Sequence, residues 1–265
     1  MDITRHIGAR LLKRPNVKIK DARAAWREYR VAAGSGGQAT LLTHPAANRK
    51  LSTNGAYGLS LAPNTTSGVG NCRYATPSCI DGCVGEGGLA FMPKVRIGRA
   101  LKSLFLADHP EMFVTLLAAE LHAVWRKNTD TEVRLNVFSD IPWERLAPWL
   151  FDELASAFPG GECPVYDYTK WTTRESTPRY KLTYSASERT TDTTITRWLA
   201  NGRNVAVVFD TKKGEPLPAS YLAWPVIDGD ATDGRWYDPS GVVVGLRAKG
   251  LMRHRPVARL MVRNA

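Results

Sequence analysis

The sequence predicts an α/β protein arranged as an incomplete (β/α)6-type TIM-like barrel of parallel strands, with a cysteine loop after the first strand. Three observations carry this expectation. Short apolar runs of strand character alternate with longer segments of helical period, the rhythm of a parallel sheet with helical crossovers. Val205 to Phe209 is continuously apolar, as expected of a strand buried on both faces. Strand after strand ends in polar residues, the pattern of the C-terminal rim of such folds. About six or seven strands with fewer clear helices suit a partial barrel better than a closed eightfold one, with an open doubly wound sheet as the alternative.

Taken in order, residues 1–37 form a basic N-terminal segment and residues 38–265 the α/β domain. Ile7, Leu11 and Leu12 fall near helical spacing, and Ala22 to Val31 forms a second short helix. Ala33-Gly34-Ser35-Gly36-Gly37 breaks the pattern as a turn or linker. Tyr57 to Leu61 is the first strand, leading through Ala62-Pro63-Asn64 into the cysteine loop. Lys94 to Leu106 is helical. A second helix starts at Asp108-His-Pro-Glu111, with Asp108 as cap, Pro110 in the first turn and Glu111 following. Phe113, Leu116, Leu117, Leu121 and Val124 give it one apolar stripe.

Val133 to Phe138 alternates as a strand should. Leu146, Trp149, Leu150 and Leu154 mark a helix closed by Pro159-Gly160-Gly161. Strands follow at Pro164 to Tyr168 and Tyr180 to Tyr184, then a helix from Asp192 burying Ile195, Trp198 and Leu199. The last strands are Val205 to Phe209, Trp224 to Ile227 and Val242 to Leu246.

The composition is that of an ordinary globular chain, with 43% hydrophobic and 23% charged residues. No apolar run is long enough for a transmembrane helix and the basic start has no apolar core of a signal peptide, so a cytoplasmic, reducing setting is expected. There, clustered cysteines signal metal sites more than disulfides. The net charge of +11 is concentrated at the two ends and favours anionic partners, nucleic acid included.

Three of the four cysteines, Cys72, Cys79 and Cys83, lie in one glycine-rich loop as C-x6-C-x3-C. Thiolates are soft ligands for zinc, copper(I) or iron–sulfur clusters. Structural zinc prefers paired C-x2-4-C half-sites, which this chain lacks. Three cysteines suit a cubane with one iron left open to a small anionic ligand, and the surrounding glycines let backbone amides approach its sulfides. Cys163 stands alone some eighty residues on, a fourth ligand or a small buried side chain. The polar strand ends supply the rest of the expected site: Asp140, Lys170, Glu188 and Lys249 as catalytic groups, with Asn136, Tyr168 and Ser185 binding a cofactor.

The cysteine loop after a first strand, followed by a helix and the VRLNVFSD strand, resembles the radical S-adenosylmethionine enzymes. That resemblance implies a [4Fe-4S] cluster (or [3Fe-4S]) at the top of a partial barrel, with S-adenosylmethionine as a second ligand. The spacing departs from that family's C-x3-C-x2-C, and Gly82 stands where its aromatic would be. No glycine-rich segment follows RLNVFSD. The combination CRYATPSCIDGCV, RLNVFSD, DYTKW, YKLTYSASE and DGDATD…VVVGLRAKG is more closely similar to a family of phage-encoded proteins of unknown function, over roughly residues 50–250. Two functional expectations follow. One is an iron–sulfur enzyme, of radical or aconitase-like Lewis-acid type. The other is a structural or sensing iron–sulfur or zinc module whose basic surface binds nucleic acid or a host protein.

Overall fold

The apolar runs expected as strands come together in one mostly parallel sheet. The computed structural model describes residues 1–36, 39–47 and 55–264. The strands are β1 (Leu42–Thr43), β2 (Tyr57–Leu59), β3 (Val133–Arg134), β4 (Val165–Thr169), β5 (Lys181–Ser185), β6 (Asn204–Phe209), β7 (Ser220–Tyr221), β8 (Trp224–Asp228), β9 (Val243–Arg247) and β10 (Val262–Arg263). The helices are α1 (Ile3–Ile7), α2 (Ile19–Ala32), α3 (Pro77–Asp81), α4 (Pro93–Asp108), α5 (Pro110–Trp125), α6 (Trp143–Leu146), α7 (Pro148–Ala157), α8 (Asp192–Ala200), α9 (Leu251–His254) and α10 (Pro256–Arg259).

Across the sheet the order is β1-β2-β3-β4-β5-β6-β9-β8-β7. Every neighbouring pair from β2 to β8 is parallel, and β1 and β7 add antiparallel edges. The two edge strands do not meet, so the barrel is not closed. Near its end β6 changes partner: β5 pairs with it as far as Ala206, and β10 pairs with Val208 and Phe209 beyond. That divergence opens the C-terminal side of the sheet between β5 and β6.

One face of the sheet is covered by helices. Residues of α1, α2, α4, α5, α6 and α7 share a core with Leu59, Val133, Val165 and Leu182. A second core sets Ile195, Trp198 and Leu199 of α8 against Tyr184, Val205, Val207 and Phe209. Side chains that alternate with these, among them Arg134, Tyr168 and Lys181, turn to the other face. The segment between β8 and β9 crosses that face. Asp233 pairs with Arg134 at 2.9 Å, the Trp236 amide donates to Glu132 at 3.0 Å, and Lys181 donates to the Trp236 carbonyl at 2.5 Å. The chain's own crossover thus occupies the hollow that a barrel would enclose.

The N-terminal segment is part of this packing. Ile3, Ile7, Leu11, Ala22 and Trp26 are buried in the main core, and Arg10 and Arg14 pair with Glu111 and Glu153 on α5 and α7. The expected linker begins where α2 ends, with Gly34 at φ +65°; Gly37 lies outside the described residues.

Two local expectations are corrected. The alternation over Val133 to Phe138 makes a strand only at Val133–Arg134. Asn136 leaves the ladder because its N–H donates to the Asp167 carboxylate at 2.7 Å and its amide bonds the Ile141 carbonyl at 2.9 Å. Asp108 does not cap α5. It is the last residue of α4, and its carboxylate accepts from the Tyr29 hydroxyl at 2.6 Å, so α5 opens at His109 without a side-chain cap.

Asp167 of β4 is fully buried and accepts from the Asn136 backbone and side-chain N–H groups and from the Tyr180 hydroxyl. Burial pushes its pKa up to about 7, against the lowering pull of these bonds and of Arg134 and Arg174. An unfolded aspartate releases its proton near about 3.9. The folded state therefore holds an extra proton between these values, and stability falls as pH rises through that window. Asp167→Asn, which keeps the shape of the protonated acid, is expected to flatten this part of the profile. Denaturant unfolding of both proteins from pH 4 to 8 checks it; parallel profiles would refute it.

Candidate functional site

The loop after β2 is tied down before it reaches its first cysteine. Asn71, buried, donates to the Ala62 carbonyl at 2.7 Å and to the Ser103 hydroxyl of α4 at 2.9 Å. Its own carbonyl accepts from the Asp140 amide at 2.9 Å, joining this loop to the one after β3. Cys72 follows. Its sulfur accepts from the Asn64 amide at 3.3 Å and its thiol donates to the Phe138 carbonyl at 3.5 Å.

The second cysteine sits on a short helix, α3, within the stretch expected as a loop. Thr76 caps α3, accepting from the Cys79 amide at 3.4 Å, and Pro77 occupies the first turn, where a missing N–H costs nothing. The Thr76 hydroxyl donates to Glu188 at 2.7 Å, and the Ser78 amide approaches the same carboxylate at 3.4 Å. Glu188 comes from the loop after β5, so this contact draws the cysteine loop over the strand ends. Burial works to raise its pKa, but these bonds bring it below the usual glutamate value.

At its far end the loop is clamped by the C-terminal helices. Asp81 accepts from the Ala258 amide at 3.0 Å and pairs with Arg255 at 3.2 Å. Gly82 leaves no room for a side chain: a Cβ there would stand 2.9 Å from that of Ala258 and 3.2 Å from Met252. Cys83 follows, with the Gly85 amide near enough to oppose the rise in its pKa.

All four cysteines are free thiols, and the three of the loop are half-buried. Burial pushes Cys72 up to about 12, and the thiolates of Cys79 and Cys83 add to the rise. Cys79 is raised by burial, lowered by Lys170, and raised again by Asp140 and Glu188. Burial also raises Cys83, with the Gly85 amide and Arg99 opposing and Cys79 and Glu86 reinforcing. The loop thus brings its three sulfurs within electrostatic reach of one another. Among the described residues, no three His, Cys, Asp or Glu side chains are placed to ligate a single metal ion.

Of the expected pocket residues, Asp140, Lys170, Ser185 and Glu188 gather at this edge. Asp140 accepts from the Thr169 hydroxyl at 2.8 Å, the Lys170 amide at 2.9 Å and the Arg174 guanidinium at 2.7 Å. The Lys170 ammonium donates to the Ser185 hydroxyl at 3.0 Å and to the Ala186 carbonyl at 3.2 Å. The other three lie apart. Asn136 is 1% exposed and bonded within the sheet's helical side. Tyr168 lies under Arg134, whose guanidinium is 4.8 Å from its ring centroid. Lys249 pairs with Asp230 beside the Arg247–Asp228 pair. Cys163, buried and interacting with Asp130 and Arg179, is away from the loop.

Arg174 was not legible in the chain. It is fully buried and spans Asp140, at 2.7 Å, and Glu144 on α6, at 2.8 Å. A single arginine in a loop between strands carries no sequence signal for such a role.

Fold and site together define an α/β protein that gathers three free thiols, a lysine and two carboxylates over the C-terminal edge of a parallel sheet. The model of one protein family, GP88 or gene product 88, matches residues 32–263, and the chain belongs to that phage-encoded family. No curated protein and no solved structure matches the chain, so the likeness to radical S-adenosylmethionine enzymes is not among these findings. No helix among the described residues is long and apolar enough to cross a membrane.

Arg174→Met would leave Asp140 and Glu144 buried without their shared cation. The expected loss is about 3–5 kcal/mol of folding stability, the cost of breaking a buried pair from one side. Urea unfolding measures it; a loss no larger than that of an exposed pair would show the network to be slack.

Proposed function

We propose that Cys72, Cys79 and Cys83 hold an iron–sulfur cluster, [4Fe-4S] or [3Fe-4S], at the C-terminal edge of the sheet. The carrying observation is that three free thiols of one loop lie within reach of one another's charge, with the Asn64 amide donating to the Cys72 sulfur. Amide donors to sulfur are a recognised means of setting a cluster's potential. A soft donor set of this kind fits iron–sulfur or another thiophilic metal.

The cluster would supply either electron transfer or, with its open iron, Lewis-acid chemistry. This chain's residues do the rest. Lys170 presents an ammonium held by Ser185 and Ala186, suited to attract an anionic ligand. Asp140 and Glu188 place negative charge near Cys79 and Lys170 a positive one, so the lysine favours its thiolate and the carboxylates oppose it. The C-terminal helices and Gly82 cover the outer side of the loop. The run of parallel strands with polar C-terminal ends is the feature shared with partial TIM-like barrels, and it supports an enzymatic use of this edge. S-adenosylmethionine as second ligand is the finer reading. Tyr168 and Asn136 lie away from the loop, which leaves Lys170, Ser185 and Glu188 to meet it.

Protein isolated without oxygen, or reconstituted with iron and sulfide, is expected to be brown and to contain both elements in stoichiometric amounts. The triple Cys→Ala variant should lose both, whereas Cys163→Ser should keep them. Colourless protein with stoichiometric zinc, or equal iron in the triple variant, would overturn the proposal.

A further inference from the structure

Where the cysteine loop runs into α4 lies a cavity of about 320 Å³, lined by Ala62, Glu86, Pro93, Arg96, Ile97 and Arg99 among others. Arg99 is its unusual member. The residue is only 3% exposed, yet its Nε and Nη1 have no hydrogen-bond partner; only Nη2 is engaged, donating to the Ala90 carbonyl at 2.8 Å. Its guanidinium lies over the Phe138 ring, 4.8 Å from the centroid, and burial lowers its pKa. A buried cation with unmade hydrogen bonds is costly unless something completes them.

The nearest carboxylate does not complete them. Glu86 stands 3.8 Å from Arg99 and 3.8 Å from Arg96, beyond hydrogen-bond reach of both, and its Oε1 is itself without a partner. Gaps of this size between charged groups are places for a bridging polar atom. The cavity also adjoins the first turn of α4, a helix of 16 residues that opens without a side-chain cap. The positive end of its dipole favours negative charge there. Ala62, Pro93 and Ile97 give the remaining wall an apolar character.

We infer that this cavity binds a small organic oxyanion, a carboxylate or a phosphate ester, through Arg99 and Arg96. The anion's oxygens supply the missing acceptors, and its carbon skeleton lies on the apolar wall. Glu86 is the negative charge such a ligand must tolerate, so it weakens the site and narrows it toward ligands that also carry a donor. None of this requires a metal in the cysteine loop.

The test uses the full chain prepared without metal and titrated at constant ionic strength with succinate and, separately, with inorganic phosphate, by calorimetry and thermal shift. Saturable binding of at least one anion is expected. Arg99→Met should weaken it at least about tenfold, the worth of one charge-assisted hydrogen bond. Glu86→Gln should tighten it, because the repelling charge is gone. A response to succinate alone assigns a carboxylate, and one to phosphate alone a phosphate ester. The inference is overturned if neither anion binds, or if Arg99→Met responds like the unaltered protein, which would mean unspecific attraction to the +11 surface. Should Arg99→Met fail to fold, Glu86→Gln decides: unchanged or weaker binding refutes the site.

Discussion

A single carboxylate, that of Asp140, holds the site's floor in place. It joins the ends of β3 and β4 by accepting from Thr169, from the Lys170 amide and from Arg174, while its own amide donates to Asn71 of the cysteine loop. β3 needs this support, because it is a strand for only two residues before Asn136 diverts it. Arg174 then ties Asp140 to Glu144 and so to α6. The arrangement is a buried ionic network with nearly every acceptor filled, the condition under which such networks fix one geometry.

From that floor the cysteine loop is suspended at three points. Asn71 fixes its entry, Thr76 and Ser78 fix its middle to Glu188, and Asp81 fixes its exit to α10. These anchors come from the loops after β3 and β5 and from the C-terminal helices, so the loop's shape is set by the whole sheet. The partner exchange on β6 matters here too. Where β5 ends at Ser185 and β10 enters, the loop carrying Ser187 and Glu188 turns toward the cysteine loop.

Much of this was legible in the chain. The longer strands and helices fall within a few residues of their expected places because their apolar periods were strong. The short helix from Pro77 went unseen, because the stretch read as a glycine-rich loop. β1, β7 and β10 went unseen because two residues carry no period. Asp108 shows how a local cap signal loses to a tertiary partner: the Tyr29 hydroxyl claims the carboxylate, and α4 runs on to that residue. Alternation over Val133 to Phe138 was misleading for a related reason. Leu135 and Val137 are buried as a strand would bury them, but Asn136 between them is committed to Asp167. Within the site, the polar strand ends of the central strands converge, whereas Lys249 follows β9, nearer the far edge of the sheet, and is claimed by Asp230.

The basic C-terminus gains a more specific meaning from this geometry. Arg255 reaches Asp81 in the cysteine loop, Arg259 reaches Asp210 after β6, and Arg263 donates to the carbonyls of Ser187 and Thr190. Exposed pairs of this kind add little stability individually. Their effect is positional, because all three join the last helices and β10 to the loops that bound the thiols. At the other end, Arg10 and Arg14 likewise bind α1 and its following turn to α5 and α7. A good part of the positive charge thus serves internal contacts. The family match begins only at residue 32, yet Ile3, Ile7 and Trp26 lie in the main core, so the segment before the match supports the helices behind the sheet. Arg10, Arg14, Arg255, Arg259 and Arg263 thus help to close the two ends of the protein around its sheet.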